Sequence, residues 1–443
     1  MRKIFLQLFV FVFLALQCNA NDLSKFVSKM DFGLNSIVSV YLEDAKTGEI
    51  LYKKNEKKLM NPASTLKTLT FGASNIVLGS DYEFETALYK YGNDLYLKLG
   101  GDALLSKNDL VNIFSQFKKE NPNFNINKIY IDDSIFETFY PDTWMEEDLW
   151  PCFRIITPYI IDNNMFEVAI NRSSLSKRVE IVQNDSYKLP IVNELVLGDK
   201  QEYIIERRED EDSSIVYFKG VIIEDEQIKL PVLKPEINFK IKLNEALRKN
   251  NIIYEEFITS KITPQDASKI ASVSHNISDI SNKVLHDSKN FYSEIVFMVA
   301  AAKYINYSHV ATSDDAIKMF RDIYKKHITD DIKIADGSGV SRENFVNAIF
   351  MTESLKELYS KTDLKTFLTT SNEGTLADRM LFLKDNLRAK TGTLSQTSAI
   401  LGTLKTKQGR DVVFNIAVQN SSKRKALLKH FENTLITKFY RMF

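Results

Sequence analysis

The sequence predicts an α+β fold, in which an antiparallel sheet flanked by helices is interrupted by a large β-rich insertion. Strand-like runs lie near both ends of the chain, together with helical stripes of apolar residues. A long middle segment is dominated by further strand-like runs. Helices beside an antiparallel sheet are one of the few stable layer arrangements, and this decides the class.

Residues 1–20 are typical of a secretory signal. Arg2 and Lys3 precede an almost wholly apolar run over residues 4–16, and small residues follow at Asn19 and Ala20. The apolar run is too short to cross a bilayer comfortably. We therefore expect an exported chain with no stable membrane span. Lipid attachment at Cys18 is the alternative, but the residue before this cysteine is too large for the usual site.

Composition limits the other classes of function. Removing residues 1–20 leaves Cys152 as the only cysteine, so no intramolecular disulfide is available, and it leaves a net charge of −2. A near-neutral chain argues against nucleic acid as a partner. The five histidines show no metal-ligand spacing, and the phosphate-binding glycine motifs are absent from the sequence. The length of 443 residues allows about three domains.

The expected elements follow in chain order. Strands at 36–42 and 49–52 are joined by a turn at Lys46-Thr47-Gly48, and a buried helix covers 61–77. The middle segment has expected strands at 83–90, 95–99, 128–132, 165–171, 179–182 and 215–224, and a helix at 106–117. Later come helices at 290–304, 314–325 and 344–359, and strands at 390–394, 397–404 and 412–418. A basic amphipathic segment over 423–443 is expected to pack on the sheet, the alternative being an anionic membrane surface.

Three short motifs supply the groups that acyl transfer by an active serine requires. They are Ser64-Thr65-Leu66-Lys67, Ser288-Lys289-Asn290 and Lys390-Thr391-Gly392-Thr393. Residues three apart share a helix face, so the Lys67 amine can reach the Ser64 hydroxyl. The second motif adds a hydroxyl and an amide at the start of an apolar helix, and the third adds a cation for a carboxylate on an edge-like strand.

Each motif alone is weak, because the chain contains decoys. The same serine–lysine spacing recurs at Ser115/Lys118, Ser174/Lys177 and Ser422/Lys425, and the serine–asparagine spacing recurs at Ser106/Asn108 and Ser274/Asn276. These pairs lie in polar stretches or on solvent-facing helix surfaces. Only the three chosen motifs adjoin strongly apolar elements. The structural alternatives for them are a helix cap at Ser64 and a polar helix turn at Ser288.

The spacing of the motifs predicts the domain organisation. Ser64 and Ser288 are 224 residues apart, whereas Ser288 and Lys390 are 102 apart. A single compact domain rarely needs the longer interval between two groups of one site. We expect a catalytic domain assembled from 21–80 and 256–443, with one or two β-rich modules inserted at 81–255.

The chain resembles the class C low-molecular-mass penicillin-binding proteins, which are D-alanyl-D-alanine carboxypeptidases and endopeptidases. Beyond the three motifs, matching stretches are Gly100-Gly101-Asp102, residues 131–136, residues 336–342, Gly374-Thr375-Leu376 and residues 388–394. Lys289 is one variation, at a position where members often carry aspartate. The resemblance implies a penicillin-recognising serine transpeptidase-like domain with inserted domains, a periplasmic location in Gram-negative members and no cofactor.

The resemblance also implies the site roles. Ser64 is the nucleophile, Lys67 its base, Ser288 a proton relay and Asn290 a holder of Lys67 and substrate. Lys390, Thr391, Gly392 and Thr393 bind the terminal carboxylate of a peptidoglycan peptide or a β-lactam. Asp132 contacts the substrate from the insertion or else caps a turn, and Arg342 contacts substrate or forms a structural ion pair.

Three other functions use the same parts. A serine β-lactamase deacylates rapidly, a wall-binding or β-lactam-sensing protein does not turn over, and an envelope docking module makes catalysis secondary. The long insertion favours the peptidase over the lactamase, and the complete set of motif residues disfavours a decayed site. The sequence leaves open the preference between carboxypeptidase and endopeptidase activity, and the oligomeric state.

Overall fold

The structure is a computed structural model that describes residues 21–141, 143–144, 154–173, 178–210, 213–254, 256–258 and 261–443. The predicted signal at 1–20, Cys152 and the Ser174/Lys177 pair lie outside the described residues. The chain forms two compact units. The first contains the chain up to Tyr82, Ile277–Asn306 and Thr312–Phe443, and the second contains Glu83–Asn276 and Tyr307–Ala311.

The described strands and helices alternate along the chain. The strands are β1 (Ile37–Asp44), β2 (Ile50–Lys54), β3 (Glu83–Tyr91), β4 (Asp94–Lys98), β5 (Lys128–Asp132), β6 (Met165–Ser173), β7 (Arg178–Gln183), β8 (Ile191–Leu197), β9 (Glu202–Asp210), β10 (Ser213–Ile222), β11 (Glu226–Pro231), β12 (Glu256–Ile258), β13 (Ser268–Asn276), β14 (Leu387–Leu394), β15 (Thr397–Lys405) and β16 (Asp411–Gln419). The helices are α1 (residues 21–29), α2 (Leu66–Leu78), α3 (Lys107–Glu120), α4 (Pro235–Lys249), α5 (Ile277–Ser281), α6 (Asn290–Tyr304), α7 (Ser313–Ile323), α8 (Ala348–Lys361), α9 (Leu364–Phe367) and α10 (Lys425–Met442). Short 3-10 turns lie at Ala63–Thr65, Asp162–Asn164, Gly374–Leu376 and Leu381–Asn386, and a π-helical turn at Asn282–His286.

The first unit is built on a five-stranded antiparallel sheet with the order β14-β15-β16-β1-β2. Strand β14, which carries the third motif, is therefore an edge strand, as the sequence predicts. The Lys46-Thr47-Gly48 decoy forms the turn between β1 and β2, with Gly48 at φ 70°. A turn that needs this conformation selects glycine, so its role is structural.

Helices cover both faces of this sheet. Leu428, Phe431 and Leu435 of α10 are buried against Val40 and Phe414 of the sheet. This arrangement confirms the prediction that the C-terminal segment packs on its own sheet, because its apolar stripe is occupied by the core. Helix α8 packs against β1 and β16 on the sheet, and α2 packs against α6 and α8. Helix α2 is thereby enclosed, which fixes the first motif in space.

The second unit contains three sheets and two hydrophobic clusters. A five-stranded sheet has the order β12-β5-β4-β3-β13, and its cluster includes side chains from α3 and α4. Two three-stranded sheets, β8-β10-β9 and β11-β6-β7, share the other cluster. Helix α3 begins at a capping box in which Ser106 and Asp109 satisfy each other's backbone N–H groups. The β-rich composition agrees with the α+β class predicted for the chain.

The limits of the insertion follow from strand pairing. Strand β13 pairs with β3 in antiparallel register from Ser268 opposite Lys90 to Asn276 opposite Glu83. The Ile277 N–H donates to the Tyr82 carbonyl oxygen at 2.9 Å, where the chain leaves the first unit and returns to it. We therefore propose Glu83–Asn276 as the main insertion, extending past the expected limit at residue 255 because β13 completes a sheet that begins at β3.

Candidate active site

Ser64 lies in the 3-10 turn Ala63–Thr65, which leads directly into α2. Ala63 has a φ of 47°, a left-handed conformation that costs an alanine about 1–3 kcal/mol and that surrounding contacts must enforce. One such contact is a hydrogen bond from the Ala63 N–H to Asn61 Oδ1 at 2.9 Å. Ser64 is partly exposed between the buried Ala63 and Thr65. Its hydroxyl is thus the group of this turn that a substrate can reach.

The Lys67 amine is fully buried and has three hydrogen-bond partners. Its Nζ lies 2.8 Å from Ser64 Oγ, 2.8 Å from Asn290 Oδ1 and 2.7 Å from the Ser338 carbonyl oxygen. Amide and peptide oxygens only accept hydrogen bonds, whereas a serine hydroxyl can also donate. A neutral amine has two N–H bonds and one lone pair. With both N–H bonds directed at Asn290 and Ser338, its lone pair faces the Ser64 hydroxyl.

The second motif lies where a loop enters α6. Ser288 has a φ of 59°, and Asn290 is the first residue of the helix. Ser288 Oγ accepts a hydrogen bond from Lys390 Nζ at 2.7 Å. Because that contact uses the oxygen as an acceptor, the Ser288 O–H bond can point elsewhere, toward a substrate or the other site groups.

The third motif lies on β14, directly against the turn that holds Ser64. A Cβ atom added to Gly392 would lie 2.9 Å from Ser64 N and from the Pro62 carbonyl oxygen. Such a separation is too short for a side chain, so glycine is required for the two backbones to approach. The buried Lys390 Nζ donates to the Thr391 carbonyl oxygen at 2.9 Å as well as to Ser288.

The free edge of β14 presents backbone groups beside Ser64. The Ala389 N–H donates to the Thr369 carbonyl oxygen, away from the neighbouring strand β15. Backbone groups alternate in direction along an antiparallel strand, so the N–H groups of Thr391 and Thr393 point to the same free edge as that of Ala389. The Thr393 N–H is therefore positioned as a donor next to the Ser64 turn.

Burial controls the charges of the two site lysines. Burial lowers the pKa of Lys67 to about 8, and the nearby carboxylates of Asp336 and Glu294 act in the opposite direction. Burial and the positive charge of Lys67 together hold the pKa of Lys390 well below its ordinary value. Each lysine thus disfavours the protonated form of the other, which is the condition that an amine base needs near neutral pH.

The six motif residues with chemical side chains, Ser64, Lys67, Ser288, Asn290, Lys390 and Thr391, all belong to the first unit. Asp132 belongs to the second unit and is 1% exposed. One of its carboxylate oxygens accepts from Ser134, and the other accepts from the N–H and hydroxyl of Thr263, both at 2.7 Å. These contacts favour the turn-capping alternative for Asp132.

Two further predictions concern groups outside the serine–lysine centre. Arg342 donates to the carbonyl oxygen and the hydroxyl of Ser395, one residue beyond β14, and this contact connects the 336–342 stretch to the sheet edge. Over the described ranges, no group of three or more His, Cys, Asp or Glu side chains could hold a metal ion. In the same part of the chain, no helix is both long and apolar enough to span a bilayer.

Sequence analysis missed two contributors to the site. The Ser338 carbonyl oxygen is a backbone group, and the stretch around it was matched only as part of a family pattern, without a role. Glu294 is a carboxylate on the apolar stripe of α6 and is 3% exposed. A charged residue within a buried helix face was the signal that could have identified it.

The sequence matches the D-Ala-D-Ala carboxypeptidase 3 (S13) family over residues 20–435. The chain belongs to this family. The resemblance to the class C penicillin-binding proteins is thereby confirmed, and the chain is a serine-type D-Ala-D-Ala carboxypeptidase. Its family covers both parts of the first unit and the insertion between them.

Similar proteins extend over nearly the whole chain. The D-alanyl-D-alanine carboxypeptidase DacB of Haemophilus influenzae is 23% identical over 459 residues, covering 96% of this chain and 94% of the relative. A D-alanyl-D-alanine carboxypeptidase of Actinomadura sp. is 25% identical over 428 residues, covering 86% of this chain and 77% of the relative. The crystal structure of penicillin-binding protein 4 (dacB) from H. influenzae has a TM-score of 0.82 at 22% identity, covering 96% of this chain and 99% of that chain. This likeness confirms the predicted α+β fold with inserted sheets.

Proposed function

We propose that the protein hydrolyses the D-Ala-D-Ala bond of peptidoglycan stem peptides through an acyl-enzyme on Ser64. The observation that carries this proposal is the set of three contacts made by Lys67 Nζ. Two acceptor oxygens orient the N–H bonds of the neutral amine, so that its lone pair meets the nucleophile. This arrangement is what a base for a serine nucleophile requires.

In the first step, Lys67 Nζ takes the Ser64 hydroxyl proton while Oγ bonds to the carbonyl carbon of the penultimate D-alanine. The carbonyl oxygen becomes an oxyanion. The N–H groups of Ser64 and Thr393 stabilise it, because the close approach of Gly392 to the Ser64 turn brings both backbones to one place. An oxyanion donor of this kind is worth about 3–4 kcal/mol of transition-state stabilisation.

The terminal carboxylate of the substrate binds Lys390 through a charge-assisted hydrogen bond, with the hydroxyls of Thr391 and Thr393 as further donors. A bound carboxylate favours the protonated form of Lys390. Since the charge of Lys390 disfavours the ammonium form of Lys67, substrate binding itself makes Lys67 a stronger candidate base. Recognition and activation are therefore coupled through the two lysines.

In the second step, the C–N bond breaks and the leaving D-alanine amine receives the proton that Lys67 accepted. Ser288 relays it, because its oxygen is already held by Lys390 and its O–H can donate to the amine. Asn290 keeps Lys67 in place during the transfer and binds the substrate amide. Water then attacks the ester, which releases the shortened peptide and restores Ser64.

A β-lactam contains a strained amide and a carboxylate, and it can occupy the same groups. The H. influenzae penicillin-binding protein 4 has also been solved in complex with a β-lactam, with a TM-score of 0.78 to this chain. We propose that penicillins acylate Ser64 here and that the cross-links between stem peptides are a second class of substrate. We propose further that the chain is exported to the periplasm or cell envelope, on the basis of residues 1–20.

The direct test is release of D-alanine. The protein without residues 1–20 is incubated with a stem pentapeptide ending in D-Ala-D-Ala, and the products are separated by mass. Loss of a single alanine supports carboxypeptidase action, and cleavage of a cross-linked dimer to monomers supports endopeptidase action. Intact peptides together with rapid, repeated opening of penicillin would instead support the β-lactamase alternative.

A further inference from the structure

Glu294 is a buried carboxylate behind the Lys67 amine. It lies one helical turn after Asn290 on α6, and residues four apart share a helix face. Its Oε2 accepts a hydrogen bond from the Gly337 N–H at 3.1 Å, whereas its Oε1 is buried with no hydrogen-bond partner. Burying an ionised carboxylate with an unsatisfied oxygen is costly, and the neutral acid costs less. The mechanism above uses Asn290 directly and leaves Glu294 without a role.

Glu294 holds the loop that supplies one of the partners of Lys67. The residue after Gly337 is Ser338, whose carbonyl oxygen accepts from Lys67 Nζ at 2.7 Å. On α6, the neighbouring Ser293 hydroxyl donates to the Gly337 carbonyl oxygen at 2.9 Å. Helix α6 therefore binds both backbone groups of Gly337, and this attachment sets the position of the Ser338 carbonyl oxygen.

The other side of the loop is held by Asp336. Its carboxylate accepts from the N–H groups of Gly339, Val340 and Ser341 at 2.7–3.0 Å and from the Asn344 amide at 2.8 Å. Asp336 thus has several donors that stabilise its negative charge. Glu294 has one hydrogen-bond donor in comparison, so of the two buried carboxyls it is the one that favours the protonated form.

The charged groups that face one another here are Glu294 from α6, Asp336 from the loop and Lys67 from α2, with Lys390 of β14 facing Lys67. Burial and the charge of Asp336 raise the pKa of Glu294 to about 8. The negative charge of Glu294 in turn raises the pKa of Lys67. An ionised Glu294 would therefore keep the proton on Lys67, and a neutral Glu294 would not.

We propose that Glu294 is a positioning residue that holds the Ser338 carbonyl oxygen against Lys67 and that stays protonated during acylation, so that Lys67 can be the neutral base. This proposal rests on the assignment of Ser64 and Lys67 above. In the reactive form one proton resides on Glu294 and none of the ammonium type on Lys67. Lys67 then receives the Ser64 proton and passes it to the leaving amine, while the proton of Glu294 is retained throughout.

Two substitutions separate the two parts of this role. Glu294→Gln keeps an acceptor oxygen for the Gly337 N–H and is uncharged at every pH. Glu294→Asp keeps an ionisable carboxyl but is one methylene too short for the same contact. The rate constant of acylation by a fluorescent penicillin is measured for each variant from pH 5.5 to 9.5, under conditions that resolve a single turnover.

For the wild type, the rate rises with pH as Lys67 becomes neutral. Glu294→Gln removes a negative charge that favours the ammonium form of Lys67, so the midpoint of this rise moves to lower pH by about one unit. The plateau rate is retained. Glu294→Asp leaves the midpoint near that of the wild type and lowers the plateau rate about tenfold, because the Ser338 carbonyl oxygen is no longer held.

Glu43→Gln is the matched control, since Glu43 is a buried carboxylate on β1 of the same unit and is bonded to Tyr41 and Lys356. It changes thermal stability without moving the midpoint. Equal midpoints for the wild type and Glu294→Gln, with only the plateau or the stability altered, would reduce Glu294 to a packing role and overturn the proposal. A wild type that is not acylated at any pH would overturn the assignment of Ser64 and Lys67 and this inference with it.

Discussion

Lys67 Nζ lies 2.8 Å from Ser64 Oγ across a single turn at the start of α2. The two residues are three apart in sequence, and their contact is therefore set locally. What makes the contact chemically useful is remote, because Asn290 and Ser338 are 223 and 271 residues away from Lys67. Together they direct both N–H bonds of a neutral amine away from the nucleophile.

The acylation rate should depend on the protonation of Lys67. Because the neutral amine is the base and burial lowers the pKa of Lys67 to about 8, the rate rises with pH and levels off above that value. Lys67→Met, which keeps the side-chain length, should lower the rate by about 10²–10⁴-fold. Single-turnover acylation between pH 6 and 9 measures both effects. Lys118→Met, from a decoy motif on α3, is the control, and a flat wild-type profile would exclude Lys67 as the base.

Removing Lys390 should weaken recognition of the substrate carboxylate. Lys390→Ala loses a charge-assisted hydrogen bond worth about 1.5–3 kcal/mol, so kcat/KM for a peptide with a free terminus should fall about 10–150-fold. The same peptide with an amide-capped terminus lacks the charged partner and should be affected little by the substitution. Equal losses on the two peptides would contradict a carboxylate-binding role for Lys390.

The close approach of β14 to the Ser64 turn should be intolerant of a side chain. Gly392→Ala places a Cβ atom 2.9 Å from Ser64 N, so the strand has to move away and the oxyanion donors separate. Loss of one donor would lower the acylation rate about 10²–10³-fold. Gly409→Ala is the control, because no atom lies within 4 Å of its added Cβ and its φ of 83° affects only local strain. Comparable acylation by Gly392→Ala and the wild type would show that the approach is not needed.

The motifs and the local contacts of the site were predictable from the sequence, and the tertiary contacts were not. The Ser64–Lys67 pair follows from helix geometry, and helix Asn290–Tyr304 from an apolar stripe that begins at Asn290. The contact between Lys390 and Ser288 joins residues 102 apart, and only their common chemistry pointed to it. The Ser338 carbonyl oxygen could not be predicted, because a backbone acceptor has no sequence signature.

Parts of the fold were missed for a similar reason. Strand β13 (Ser268–Asn276) has exposed or half-exposed residues at most positions, so it lacks the apolar alternation that identifies a strand. Its pairing with β3 determines its structure, and this moved the proposed end of the insertion. Helix α4 begins with Pro235, which is a start signal at the first helical position, yet its mixed apolar pattern was not assigned to a helix.

Asp132 provides a test of the turn-capping alternative. In Asp132→Asn the side chain presents an amide nitrogen where one carboxylate oxygen accepts hydrogen bonds, and the buried donors of Thr263 or Ser134 lose a partner. We expect the free energy of unfolding to fall by about 1–3 kcal/mol with little change in kcat/KM. Chemical denaturation and peptide hydrolysis measure the two quantities. A selective loss of kcat/KM at unchanged stability would return Asp132 to the substrate contacts.

Mapping the site of penicillin attachment tests the central assignment most directly. The protein without residues 1–20 is incubated with a fluorescent penicillin and digested, and the labelled peptide is sequenced by mass spectrometry. We predict one stable adduct on Ser64, its loss in Ser64→Ala and its persistence in Ser115→Ala, the exposed serine of a decoy motif. An adduct on another residue, or undiminished labelling of Ser64→Ala, would contradict the assignment of Ser64 as the nucleophile.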